Sequence, residues 1–72
     1  MIRSIAERLT TARVDLGLSQ KEIALAIWPG KPEHSGRLGE YERGVRRPNP
    51  KTLARWQLAI GLERMRRRLG GK

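Results

Sequence analysis

Apolar residues recur at helical spacing along most of the chain. Ile2, Ile5, Leu9, Ala12 and Leu16 are three, four, three and four apart, which is one face of an α-helix. The spacing predicts a first helix over about 2–16, ended by Gly17 in the left-handed conformation. Ser19-Gln20-Lys21-Glu22 has the form of a capping box, in which Ser19 and Glu22 exchange side-chain bonds for each other's backbone N–H. Ile23, Ala24 and Ile27 then share a face, so a second helix is expected over about 20–27. Pro29, Gly30 and Pro32 make Trp28 to Glu33 a loop.

A third, short helix is expected from about Ser35 to Arg43, with Ser35 as N-cap and Leu38 and Tyr41 facing inward. Gly36 and Gly39 each weaken it by about 1 kcal/mol, so its formation depends on its surroundings. Gly44 suits the position after its end. Val45-Arg46-Arg47-Pro48 reads as an extended basic connector, and Asn49-Pro50 as an N-cap followed by proline at the first helical position. Leu53, Trp56 and Ile60 form the stripe of a fourth helix that Gly61 is expected to end. Leu62, Met65 and Leu69 predict a short fifth helix, and Gly70-Gly71-Lys72 is expected to fray.

These elements describe an all-α, compact four- to five-helix bundle with no strand pattern and no internal repeat. The expected core is Ile5, Leu9, Leu16, Ile23, Ile27, Leu38, Tyr41, Leu53, Trp56 and Ile60. A chain of 72 residues supports one small domain with modest stability. The expected division is a folded unit over 1–62 and a basic C-terminal helix or tail over 63–72.

Charge adds what periodicity does not show. Up to Glu42 six basic residues balance six acidic ones, whereas from Arg43 onward ten basic residues face one acid, Glu63. The whole net charge of +9 therefore lies in the last thirty residues. Twelve of the sixteen basic residues are Arg, which bonds phosphate and guanine edges in bidentate fashion. A polyanion, above all nucleic acid, is the expected partner. A merely solubilising surface does not need such one-sided clustering.

Enzymatic chemistry finds little support. There is no Cys, and the single His34 has no second ligand for a metal and no partner for a catalytic base, so no metal, cofactor or catalytic group is expected. The carboxylates sit near basic residues as helix-surface pairs do, for instance Glu22 with Lys21 and Glu33 with Arg37. No phosphate-binding glycine motif occurs. No apolar run approaches the roughly 18 residues of a membrane span and no signal stretch opens the chain, so a cytoplasmic, nucleoid-associated protein without membrane contact is expected.

Helix 2, turn and helix 3 are the informative part, because a helix-turn-helix lays the second of its helices in the major groove. Arg13-Val14-Asp15-Leu16-Gly17-Leu18-Ser19-Gln20-Lys21-Glu22-Ile23-Ala24 resembles the opening of the phage-repressor and Cro type of helix-turn-helix domain, also called lambda repressor-like or Xre. Tyr41-Glu42-Arg43-Gly44-Val45-Arg46-Arg47-Pro48 is similar to that family's signature after the recognition helix, and Leu53 with Ala59-Ile60-Gly61 matches its fourth helix. The resemblance spans roughly residues 5–62, and the ordered set of three motifs carries it.

The resemblance implies a bacterial or phage transcription regulator, most often a repressor, that binds double-stranded DNA as a homodimer. It implies that Ser35, Gly36, Arg37 and Glu40 face the bases, and that Gln20 meets a phosphate and touches the recognition helix. It places Arg43, Arg46 and Arg47 along the DNA backbone, and Arg13 and Glu42 in a partly buried ion pair. Lys31 is a further phosphate candidate, because the stretch from Trp28 to His34 makes the turn several residues longer than the family's usual one. Each residue keeps a plainer alternative. Arg37 reads guanine, or it meets phosphate or pairs with Glu33 or Glu40; Glu40 accepts from cytosine, or it pairs with Arg37 or Arg43. Trp56 belongs to the core and Trp28 to its lid, rather than to a stacking surface for single strands. Leu62, Met65 and Leu69 form either a dimer seam or part of the monomer core. Arg64 to Arg68 are either a further phosphate contact or a nonspecific basic tail. Two rival functions share the fold: an antitoxin that holds both DNA and a toxin partner, and a general basic nucleic-acid binder.

Overall fold

The computed structural model describes residues 4–31 and 34–70. They form four helices and, among the described residues, no strand: α1 Ile5–Asp15, α2 Gln20–Ile27, α3 Ser35–Glu42 and α4 Pro50–Gly70. The all-α bundle expected from the sequence is thus the observed fold, with four helices rather than five.

α1 starts later than its apolar stripe suggests, and Ile2 lies outside the described residues. A second capping box sets the start. The Ser4 hydroxyl accepts from the Glu7 N–H at 3.1 Å, and the Glu7 carboxylate accepts from the Ser4 N–H at 3.0 Å. Ile5, expected in the core, falls in the first turn and is 46% exposed. At the other end Gly17 has φ of 73°, which lets the Gly17 and Leu18 N–H groups bond back to Val14 and Arg13 carbonyls at 2.9 and 3.1 Å. This is the paired closure of a Schellman motif, and it turns the chain directly into α2.

Ser19 caps α2 as the sequence predicts, with Glu22 N–H to Ser19 Oγ at 3.0 Å and Ser19 N–H to the Glu22 carboxylate at 2.8 Å. Trp28 ends the helix. Pro29 and Gly30, the latter at φ 76°, then form a tight turn closed by Lys31 N–H to the Trp28 carbonyl at 3.1 Å. Pro followed by a positive-φ Gly is the sequence of a type II turn. The Trp28 ring leans on His34 and Tyr41, with centroids 5.7 and 6.2 Å away. The longer connection is therefore anchored on the rim of the core.

α3 follows a single 3₁₀ residue, His34, so Ser35 is its first residue and not its N-cap, and His34 gives no side-chain cap. Its end is a second Schellman closure around Gly44 at φ 77°: Gly44 N–H to Tyr41 O at 3.2 Å and Val45 N–H to Glu40 O at 2.9 Å. Asn49 caps α4 by accepting from the Thr52 N–H at 2.7 Å.

α4 overturns one expectation. Gly61 does not end it, and no separate fifth helix follows: the helix runs unbroken through Gly61 to Gly70. A terminating glycine needs positive φ. Among the described residues only Gly17, Gly30 and Gly44 have it. No proline follows Gly61, and Leu62 to Met65 are good helix formers, so continuing costs only glycine's intrinsic penalty. The Arg67 guanidinium donates to the Leu16 carbonyl, which ties the distal part of α4 to the α1–α2 turn. Nothing lies within 4 Å of a Cβ built at Gly61. Gly61→Ala is therefore expected to stabilise the fold by about 1 kcal/mol and to raise the melting temperature by about 4–8 °C. A thermal melt checks it, and a helix that ended at Gly61 would lose stability instead.

The core joins Leu9 and Ala12 of α1, Ile23, Ala24 and Ile27 of α2, Leu38 and Tyr41 of α3, and Trp56 and Ile60 of α4. Leu16 and Leu53 are half-buried against it. Ile27, Leu38 and Trp56 are fully enclosed. α2 sits at the centre, packed on α3 and α4, and α1 closes the same two helices from the other side. The Arg55 guanidinium donates to the Ile27 carbonyl at 3.2 Å and so satisfies the end of α2.

Candidate nucleic-acid interface

α3 and the start of α2 are held together by one carboxylate. Glu42, whose side chain is 5% exposed, accepts from Arg13 Nε at 2.7 Å and Arg13 Nη2 at 3.0 Å. It also accepts from Gln20 Nε2 at 2.8 Å. The third reach of Arg13, Nη1, goes to the Leu18 carbonyl at 2.7 Å. Three helices thus converge on the last residue of α3: α1 through Arg13, α2 through Gln20, α3 through Glu42. A buried pair like this mainly fixes orientation, since desolvation offsets most of its attraction. What it orients is the angle between α2 and α3.

Gly39 explains why α3 tolerates a glycine there. A Cβ at this position would stand 3.2 Å from the Arg43 guanidinium and 3.6 Å from the Gln20 amide. The Gln20 amide would then be in ordinary van der Waals contact, and the Arg43 guanidinium, the end of a flexible side chain, would have to shift by a few tenths of an ångström. Gly36 has open space on its outer side and is exposed, as is Arg37. The outward surface at the start of α3 is therefore backbone and one arginine. The Ser35 side chain lies outside the described set.

Basic residues precede and follow α3 in the chain. Lys31, Arg43, Arg46 and Arg47 are all exposed. Among the described residues Arg37, Arg43 and Arg47 make no hydrogen bond or ion pair. Arg46 does: its Nε lies 3.2 Å from the Glu40 carboxylate. Glu40 thus pairs with Arg46 and not with Arg37 or Arg43, the partners considered from sequence. The Schellman closure at Gly44 explains it, because it turns the connector back over the last turn of α3. Glu33 lies outside the described residues, so its expected pairing with Arg37 does too.

Sequence reading missed several holding contacts. The Ser4–Glu7 box repeats the Ser19–Glu22 pattern and was open to the same reasoning. The reaches of Arg55 and Arg67 to the carbonyl ends of α2 and α1 had no local signal, since they span 28 and 51 residues.

Among the described residues no cluster of His, Asp or Glu has the makings of a metal site, and no helix is long and apolar enough to cross a membrane. One carboxyl is tuned by its hydrogen bonds. The Glu22 pKa is lowered from its ordinary 4.5, first by the Ser19 backbone N–H, then by the Ser19 hydroxyl, with the positive charge of Arg67 adding to both. A carboxyl lowered in the folded state adds stability above its unfolded pKa and loses it as pH falls through the folded value. Glu22→Gln is thus expected to be less stable than the parent at pH 7, with the gap closing below about pH 4. Urea unfolding at both pH values checks this; a gap that stays constant refutes it.

A protein-family model described as helix-turn-helix matches residues 9–65. No curated protein and no solved structure matches the chain.

Proposed function

The chain belongs to the helix-turn-helix family of Xre and lambda-repressor type, whose members are DNA-binding transcription regulators, generally without enzymatic activity, and on that premise we propose that it is a sequence-specific repressor. α3 lies in the major groove of double-stranded DNA with Ser35, Gly36, Arg37 and Glu40 toward the bases. Arg37 reads guanine through O6 and N7. Gln20, Lys31, Arg43, Arg46 and Arg47 grip phosphates on both sides. Two copies occupy a two-fold operator, and repression follows from occupation of the site.

The observation that supports this reading most is the start of α3. It presents Gly36 and an exposed Arg37 that makes no hydrogen bond or ion pair among the described residues, and the other end of the same helix is held beside the start of α2 by the Gln20–Glu42–Arg13 bonds. Gly36 lets backbone approach the groove closely, and Arg43 and Arg47, without a hydrogen bond or ion pair among the described residues, follow the helix. A nonspecific binder would need the cations without the fixed angle.

Selection from a random duplex pool at about physiological salt tests the proposal, since screening there exposes specificity. The expected result is a palindromic motif with half-sites about one helical turn apart, bound about 10³-fold or more above random sequence. Absence of any enriched motif overturns it.

A further inference from the structure

α4 carries an apolar row that nothing in the described chain covers. Leu58, Leu62, Met65 and Leu69 are spaced four, three and four apart and are 61%, 52%, 56% and 79% exposed. At 3.6 residues per turn they fall within an arc of about 60°, roughly opposite Trp56 and Ile60. The unbroken passage through Gly61 matters here, because a break would separate Leu58 from the other three. The result is one straight seam about 16 Å long. Beside Leu58 and Leu62 it widens into a shallow groove floored by Ala26, Pro29 and Ala59.

The spacing is that of alternate d and a positions of a heptad, and it assigns the flanks. Arg66 falls at e and Arg68 at g, one on each side of the seam. Arg67 falls at f, away from it, and is occupied with the Leu16 carbonyl. Arg68 makes no hydrogen bond or ion pair among the described residues. Arg66 is 80% exposed and reaches Glu63 only at 3.5 Å, a carboxylate it shares with Arg67.

We propose that this seam docks an acidic amphipathic helix of another protein, whose apolar row lies along Leu58–Leu69 and whose flanking Asp or Glu side chains pair with Arg66 and Arg68. Charge decides between this occupant and a second copy of the chain. Four side chains are a small seam, since a stable interface ordinarily buries about 800 Å² per partner. Apolar burial must therefore be supplemented, and e and g charges are what set partner choice in helix pairs. A second copy brings Arg66 and Arg68 again, on a chain of net charge +9. An acidic helix brings their complement. The seam borders only the C-terminal end of α2, at Ala26 and Ile27, whereas Gln20 stands at the opposite end of that helix.

The test uses the full chain and two synthetic peptides at about 0.15 M salt. One peptide has leucines spaced four and three apart with glutamates on both flanks. The other has the same residues shuffled, so charge and composition are identical. The patterned peptide is expected to bind at least about tenfold tighter by calorimetry. Leu62→Ser with Met65→Ser is expected to abolish that preference while the far-ultraviolet helical signal and binding to a generic duplex stay as in the parent. Arg66→Glu with Arg68→Glu is expected to transfer the preference to a lysine-flanked version of the peptide. Equal binding of the patterned and shuffled peptides overturns the proposal, because net charge then accounts for everything. A dimer in sedimentation that Leu62→Ser dissociates and the patterned peptide does not displace also overturns it, in favour of a second copy as occupant.

Discussion

Glu42→Ala is expected to cost about 3 kcal/mol, the largest effect of any single surface-reaching substitution in this chain. The reason is what it leaves behind. Arg13 is only 13% exposed in its side chain, and two of its three bonds end on Glu42. Without that carboxylate a guanidinium stays in a partly dry site with the Leu18 carbonyl as its remaining partner. The Gln20 amide loses its acceptor as well. Small domains have a total stability near the low end of about 5–15 kcal/mol, so the variant retains little margin. The paired replacement Arg13→Met with Glu42→Leu is expected to recover most of the loss, because neither charge is then buried. Urea unfolding of the two variants gives the comparison. Similar losses for both refute the argument from an unpaired charge and point to packing.

The paired variant also separates stability from orientation. It keeps the fold but drops the bonds that join the end of α3 to the start of α2. If those bonds set the angle between the helices, its DNA affinity falls although its stability does not. Glu42→Gln is intermediate, since an amide oxygen still accepts one bond from Arg13.

Most of the fold was legible because it is local. The Ser19–Glu22 box, the glycines after α1 and α3, and the apolar stripes of α2 and α4 are all fixed by neighbours a few residues away. The failures have physical reasons of two kinds. Gly61 is ambiguous in sequence: glycine ends a helix only when φ turns positive, and nothing at Leu62 or beyond forces the turn. Ile5 matches the stripe of α1, yet it stands in the first turn, which Ser4 sets beyond the edge of the core. Long side chains are the other kind. The sequence does not reveal that Arg46 bends back to Glu40, or that Arg55 and Arg67 cap distant helix ends, because Arg reaches several ångströms in any direction. The surface around α3 is built largely of such side chains. Its architecture is therefore less predictable than the core beneath it, and the Schellman closure at Gly44 explains why Arg46 faces Glu40.

Arg37→Ala and Arg47→Ala are expected to weaken DNA binding in different ways, and the difference tests the interface proposed here. Arg37 stands on the outward face of α3 with no protein partner among the described residues, so its loss is expected to cost about 1–3 kcal/mol on the selected operator and little on random duplex. The motif should lose its guanine at one position of each half-site. Arg47 lies in the connector and reads charge alone. Its loss is expected to weaken operator and random duplex by the same factor and to lower the salt slope by about 0.9 per copy. Arg46 differs from Arg47 through Glu40, 3.2 Å away, which competes with phosphate for its guanidinium. Glu40→Gln removes that competitor and one negative charge from the face toward DNA. It is therefore expected to tighten binding to all sequences, most at low salt, unless Glu40 accepts from a cytosine. In that case affinity for the operator falls while affinity for random duplex rises. Titrations of the three variants against both duplexes at two salt concentrations separate a base-reading Arg37 from a phosphate-reading one, and a paired Glu40 from one that reads the groove.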